Sequence, residues 1–149
     1  MLDITKVNYQ YEVIEGQPTV MNFLNRDTLK VESEEAFLEV LETIKRREIS
    51  VAAVAYWFDY DDVTEIDETT VDEIESFIKD QSVFITQYTM DVSPQTVAFE
   101  HFKEIYEDES KVLDKIGLYT DFVNYFNRMG DSVEVFYVEG ECFGIVYTK

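Results

Sequence analysis

One stretch constrains this chain more than any other: Ile49 to Asp80. It opens with an almost unbroken apolar run, Ile49-Ser50-Val51-Ala52-Ala53-Val54-Ala55-Tyr56-Trp57-Phe58. Asp59, Asp61, Asp62, Glu65, Asp67, Glu68, Asp72, Glu73, Glu75 and Asp80 follow, and only Lys79 opposes these ten carboxylates. The first part gains by leaving water, and the second loses by doing so. A core element therefore feeds directly into an intensely negative surface, which is chemistry suited to a positive partner.

The totals agree. At 149 residues the chain has the size of one domain. Its 46% of apolar residues and 22 aromatic side chains argue for a packed core and against disorder. The 32 acids against 12 bases give a formal charge of −20. That charge repels nucleic-acid phosphates and anionic membrane surfaces, and it favours basic proteins or cations. Plain solubility is the bland alternative, since charge far from zero keeps a protein dispersed. The clustering after Phe58 speaks for more than that. A single cysteine, Cys142, excludes an internal disulfide and the cysteine-rich zinc modules. The first residues show no basic-then-apolar signal pattern, and the longest apolar run, about ten residues, is short of a bilayer span. A cytoplasmic, reducing location is the default expectation.

In chain order, residues 6–14 alternate, placing Val7, Tyr9, Tyr11 and Val13 on one strand face. Glu15-Gly16-Gln17-Pro18 supplies a turn, and Thr19 to Leu24 reads as a hairpin partner. Asn25-Arg26-Asp27 breaks that strand, and Thr28 to Val31 is a short extension. Ser33 is an N-cap with Glu34 and Glu35 in the first turn of a helix. Ala36, Phe37, Val40, Leu41 and Ile44 form its stripe, and Lys45-Arg46-Arg47 complement its C-terminal carbonyls. Ile49 to Phe58, apolar on both faces, is expected to be a central strand. Trp57 near its end fits the core first and a surface anchor second. Asp59 to Thr69 reads as an acidic loop, with Thr70 and Glu73 as a capping box for a helix carrying Val71, Ile74, Phe77 and Ile78.

Ser82 to Val92 is expected to be another strand. The connection before it is long enough to make it a parallel neighbour of 49–58. Ser93-Pro94 opens a helix with Ala98, Phe99, Phe102, Ile105 and Tyr106 buried. Glu107-Asp108-Glu109-Ser110 interrupts, and Val112, Ile116, Tyr119, Val123 and Phe126 carry a second helix through Gly117. A hairpin around Glu139-Gly140-Glu141 closes the chain, with strands from Val133 and from Phe143. The fold class is α+β, a single domain with a five- to six-stranded, mainly antiparallel sheet and about four helices.

Tests for chemistry return little. An EF-hand beginning at Asp59 would have Val63 at its fifth position, Thr64 where glycine is needed and Thr70 at its twelfth. The only histidine, His101, sits at the flank of an apolar stripe. Cys142 lies beside Glu141, and a neighbouring carboxylate does not activate a thiol as a nucleophile. With 32 carboxylates, a glycosidase-like acid pair carries no information. No phosphate loop, nucleophile elbow or His-Glu-x-x-His motif is present, and nothing calls for a cofactor.

The reading is a stoichiometric, non-enzymatic inhibitor of a basic protein, such as a nucleic-acid-binding protein whose phosphate groove the carboxylates would occupy. Small, strongly acidic α+β chains of this type occur among DNA-mimic inhibitors and among toxin-immunity proteins. Neutralising a cognate toxin is therefore the alternative, and a cation-binding or enzymatic acidic loop is the second. The partner-binding residues are Asp59, Asp61, Asp62, Glu65, Asp67, Glu68, Asp72, Glu73 and Glu75, with Trp57 and Tyr60 as anchors among them. A lesser patch is expected from Glu100, Glu104, Glu107, Asp108 and Glu109.

Overall fold

In a computed structural model, residues 2–105 and 121–149 are described. The chain divides into two compact units, residues 1–79 and 80–149. The class is α+β, with six strands in antiparallel ladders and five α-helices among the described residues. The strands form two three-stranded sheets, ordered β1-β2-β3 and β4-β6-β5.

The first unit begins with a 3-10 turn, Ile4–Lys6, capped by the Asp3 carboxylate accepting from the Thr5 N–H. Strand β1 is thus shorter than the alternation suggests: it spans Gln10–Ile14. It pairs with β2, Gln17–Phe23, across Glu15 and Gly16, both at positive φ (51° and 80°). Two left-handed residues in a two-residue loop match the twist of the flanking strands. Leu24 and Asn25, at φ 46° and 67°, repeat the device between β2 and β3, Arg26–Lys30. Arg26 and Asp27, expected to break the strand, therefore belong to β3.

Helix α1, Glu34–Arg46, forms as its sequence indicates. The Ser33 hydroxyl accepts from the Ala36 N–H, and Phe37, Val40, Leu41 and Ile44 are buried. The four residues from Arg47 to Ser50 then connect α1 to the next element, with Glu48 at φ 56°. Here the main expectation fails. Val51–Tyr60 is helix α2, not a strand, so 49–58 is neither a sheet member nor a parallel neighbour of 82–92. The physical reason is in the residues. A continuous apolar run has no period to distinguish strand from helix. Ala52, Ala53 and Ala55 are the strongest helix formers, and nothing in the run breaks a helix. Helix α2 is apolar almost all round, and Val51 to Ala55, Trp57 and Phe58 are buried. Phe58 and Phe37 lie 6.2 and 5.2 Å from Phe23, ring centre to ring centre, joining α2, α1 and β2 in one core. Helix α3, Thr70–Asp80, buries Val71, Ile74 and Phe77.

In the second unit β4 spans only Phe84–Tyr88, shorter than the expected 82–92, and Met90 beyond its end is exposed. It pairs antiparallel with β6, Glu141–Thr148, and β5, Asp131–Val138, flanks β6 on the other side. The C-terminal hairpin is as expected, with Glu139 and Gly140 at φ 50° and 79° making its turn. Helix α4, Pro94–Ile105, starts at Ser93, whose hydroxyl accepts from the Thr96 N–H. It buries Val97 and Ala98, whereas Ile105, placed in the stripe, is 51% exposed. Helix α5, Phe122–Arg128, is capped by the Asp121 carboxylate. The earlier part of that expected helix, with Val112, Ile116, Gly117 and Tyr119, lies outside the described residues, as does the 107–110 interruption. The core of this unit is Val97, Ala98, Phe122, Phe126, Val133 and Val146.

Gly144 of β6 sets how closely α4 sits. A Cβ there would lie 2.5 and 2.8 Å from the two Val97 methyls and 3.0 Å from the Tyr88 ring. Gly144→Ala is expected to destabilise the protein by about 1–3 kcal/mol through overpacking. Val97→Ala should return part of that loss, so the double variant is less destabilised than the sum of the two singles. Urea unfolding of the four proteins checks this; additive effects would contradict it.

Candidate partner-binding surface

The nine candidate carboxylates, Asp59 to Glu75, all lie in the first unit. The segment bearing them leaves the C-terminus of α2, crosses Asp61 to Thr69 and continues on the outer side of α3. Although irregular, its backbone is well tied. The Asp61 and Val63 N–H groups bond back to the Trp57 and Phe58 carbonyls. The Lys30 N–H donates to the Thr64 carbonyl and the Ile66 N–H to the Lys30 carbonyl, both at 2.9 Å, so the segment joins β3 as a parallel bridge. Val63 and Ile66 are buried at 7% and 3% exposure. Alternate small anchors go inward, and the acids between them go outward.

Every expected carboxylate is exposed: Asp59, Asp61, Asp62, Glu65, Asp67, Glu68, Asp72, Glu73 and Glu75. Three subsets are drawn together. Arg26 of β3, its side chain only 18% exposed, reaches Asp59 at 3.4 Å and Asp62 at 3.1 Å, and donates to the Val63 carbonyl at 2.7 Å. Arg47, after α1, pairs with Asp72 at 2.9 Å and also with Glu75. Thr69 joins the third set, its hydroxyl lying within hydrogen-bonding distance of both Asp67 and Glu73. Asp61, Glu65, Asp67, Glu68 and Glu73 have no ion-pair partner among the described residues. Pairs this exposed are worth at most about 1 kcal/mol each. The arginines matter more for where they hold carboxylates than for stability.

Asp67 has a structural duty. Its carboxylate accepts from the Thr69 hydroxyl and N–H, and its own N–H donates to the Thr70 hydroxyl. The capping reciprocity expected between Thr70 and Glu73 thus lies one turn earlier, between Asp67 and Thr70. The Thr69 hydroxyl first, then the Thr69 and Thr70 backbone, holds the Asp67 carboxyl below the usual range.

The two aromatic candidates part company. Trp57 is 4% exposed and belongs to the core, so it offers no anchor at the surface. Tyr60 is 47% exposed and rests against Phe77, 4.8 Å between ring centres. Of the basic cluster, Lys45 turns away to Asp3 at 3.0 Å, leaving Arg47 to interrupt the acidic surface. Arg26 was not legible as a site residue. Its carboxylate partners lie more than thirty residues on, and no local signal links them. In the second unit Glu100 and Glu104 are exposed one turn apart on α4, while Glu107, Asp108 and Glu109 are outside the described residues. Cys142 is buried in β6.

Among the described residues no group of three His, Cys, Asp or Glu side chains is placed to hold a metal ion. No described helix is long and apolar enough to cross a membrane. Comparison with protein-family models, with curated proteins and with solved structures finds no match.

Removing the Asp67 cap is expected to cost about 1 kcal/mol or less at pH 7. Because its folded pKa is depressed, that contribution is complete above the unfolded value, about 3.9, and is lost as pH falls through the folded one. Asp67→Ala should therefore melt below the wild type at pH 7, with the gap narrowing at pH 3. An equal gap at both pH values would contradict the assignment.

Proposed function

We propose that this protein is a binding antagonist of a basic protein, most specifically of one that holds nucleic acid in a Lys- and Arg-lined groove. The observation that carries the reading is the combination of exposure with backbone restraint between Asp59 and Glu75. Nine carboxylates stand in solvent on a segment fixed by buried Val63 and Ile66 and by the bridge to β3. Such a surface meets a cationic groove without first being ordered, which spares part of the cost of association. Duplex DNA presents one charge per about 1.7 Å of axis, and its binding sites are built to meet closely spaced anions. Arg26 and Arg47 keep two carboxylate pairs close together, giving anion spacings that a flexible acidic tail would not hold. Tyr60, exposed beside these acids and backed by Phe77, supplies an aromatic contact of the kind enriched at interface centres.

No catalytic step is assigned. The acidic residues act together through charge, which speeds encounter and selects a positive surface.

Asp61, Glu65, Glu68 and Glu73 are the best positions for a test, because they are exposed and make no ion pair among the described residues. Replacing all four by Lys is expected to leave the circular dichroism spectrum and melting transition nearly unchanged. Affinity for the basic protein retained from host lysate at low salt should fall at least about tenfold, equivalent to 1.4 kcal/mol. A folded variant that binds that protein as well as the wild type would overturn the reading.

A further inference from the structure

The second unit encloses a titratable side chain that the acidic surface does not use. His101, the only histidine in the chain, is half-buried on α4. Its ring lies 4.8 Å from that of Phe84 on β4 and 5.3 Å from that of Phe126 on α5, centre to centre. Its Nδ1 atom is sealed from solvent and has no hydrogen-bond partner among the described residues. A neutral imidazole can place its one proton on Nε2 and leave Nδ1 bare. An imidazolium carries N–H on both nitrogens, so the charged ring would put a donor where no described residue accepts it.

Among the described residues two carboxylates act on this ring and favour its charged form: Asp131 at the start of β5, and Glu104 further along α4 itself. From β4 and α5 the facing groups are Phe84 and Phe126, which do not titrate. Burial outweighs both carboxylates and pulls His101 below the ordinary histidine range.

We propose that His101 is an acid-sensitive latch: protonation of its ring in mildly acidic conditions releases α4 from the sheet of the second unit. Helix α4 is the element that has to move. It carries the ring, supplies Val97 and Ala98 to the core and is seated against Gly144 without a Cβ between them. Once it lifts, Nδ1 reaches water, and Phe99 and Phe102, packed against the core, are uncovered. The sign follows from the depressed folded pKa. The neutral ring's contribution is complete above the unfolded value, about 6.5, and is lost as pH falls through the folded one. Carboxylates protonate mainly near pH 4, so among side chains the interval from about pH 5 to 7 belongs to this histidine.

Hydrogen exchange followed by mass spectrometry tests this on the full chain between pH 7.5 and 5, after correction for intrinsic exchange rates. Peptides covering Pro94–Ile105 should lose protection several-fold in the wild type and keep it in His101→Phe. Peptides from residues 1–79, which contain no histidine, should change in neither protein. Equal loss of protection in both proteins, or none in the wild type, would overturn the proposal. If His101→Phe does not fold, the imidazole titration of the wild type by NMR decides. A pKa below the ordinary value, with α4 amides shifting in step, supports the latch, and an ordinary or raised value refutes it.

Discussion

The burial of α2 is the constraint on which the first unit depends. A helix with Val51, Ala52, Ala53, Val54, Ala55, Trp57 and Phe58 all buried has no solvent face to spare until Asp59. It has to be surrounded: Phe23 of β2 and Phe77 of α3 supply rings that meet it, and Phe37 of α1 packs on Phe23. Each fully buried side chain the size of Val54 or Phe58 contributes about 1.5–3 kcal/mol relative to exposure. Set against pairs worth at most about 1 kcal/mol each on the surface, this places the stability of the unit in the apolar half of Ile49–Asp80. The acidic half is then free to be chosen for what it meets. The last turn of α2 already carries Asp59, so the same helix that anchors the core fixes the origin of the charged segment.

The restraint continues past the helix. Lys30 gives both its backbone groups to Thr64 and Ile66, and Arg26 gives its guanidinium to Asp59, Asp62 and the Val63 carbonyl. Strand β3 thus holds the acidic segment with main chain and side chain together. Like charges this close repel one another over distances below the physiological screening length of about 8 Å. Arg26 and Arg47 offset part of that repulsion while leaving the surface strongly negative. Such an arrangement suits a ligand that brings its own cations, because binding relieves the remaining repulsion as well as forming new pairs.

Most of the architecture was readable from local signals. Ser33 with the Phe37-Val40-Leu41-Ile44 stripe gave α1, Ser93-Pro94 gave the start of α4, and the alternation around Glu139-Gly140 gave the last hairpin. The error at 49–58 arose where the signal is physically absent: an apolar run has no period, and alanine content was the only clue to its helical state. The exposed carboxylates were legible because charge demands solvent. Trp57 was ambiguous because a large aromatic serves a core and an interface equally well, and only its neighbours decide. Arg26 could not have been found, since its role depends on the tertiary approach of β3 to a segment more than thirty residues away. His101 was visible as a stripe-flanking residue, but the lack of a partner for its Nδ1 among the described residues is a property of packing alone.

In the proposed function, charge on a restrained surface selects the partner. The most direct measurement of this is capture from host lysate on the immobilised protein at low salt and again at about 0.5 M salt, where screening shortens to a few ångströms. The account predicts that basic, nucleic-acid-binding proteins are retained at low salt and released at high salt. Retention of a single partner unaffected by salt would contradict it, and would assign recognition to an apolar contact with the carboxylates reduced to steering.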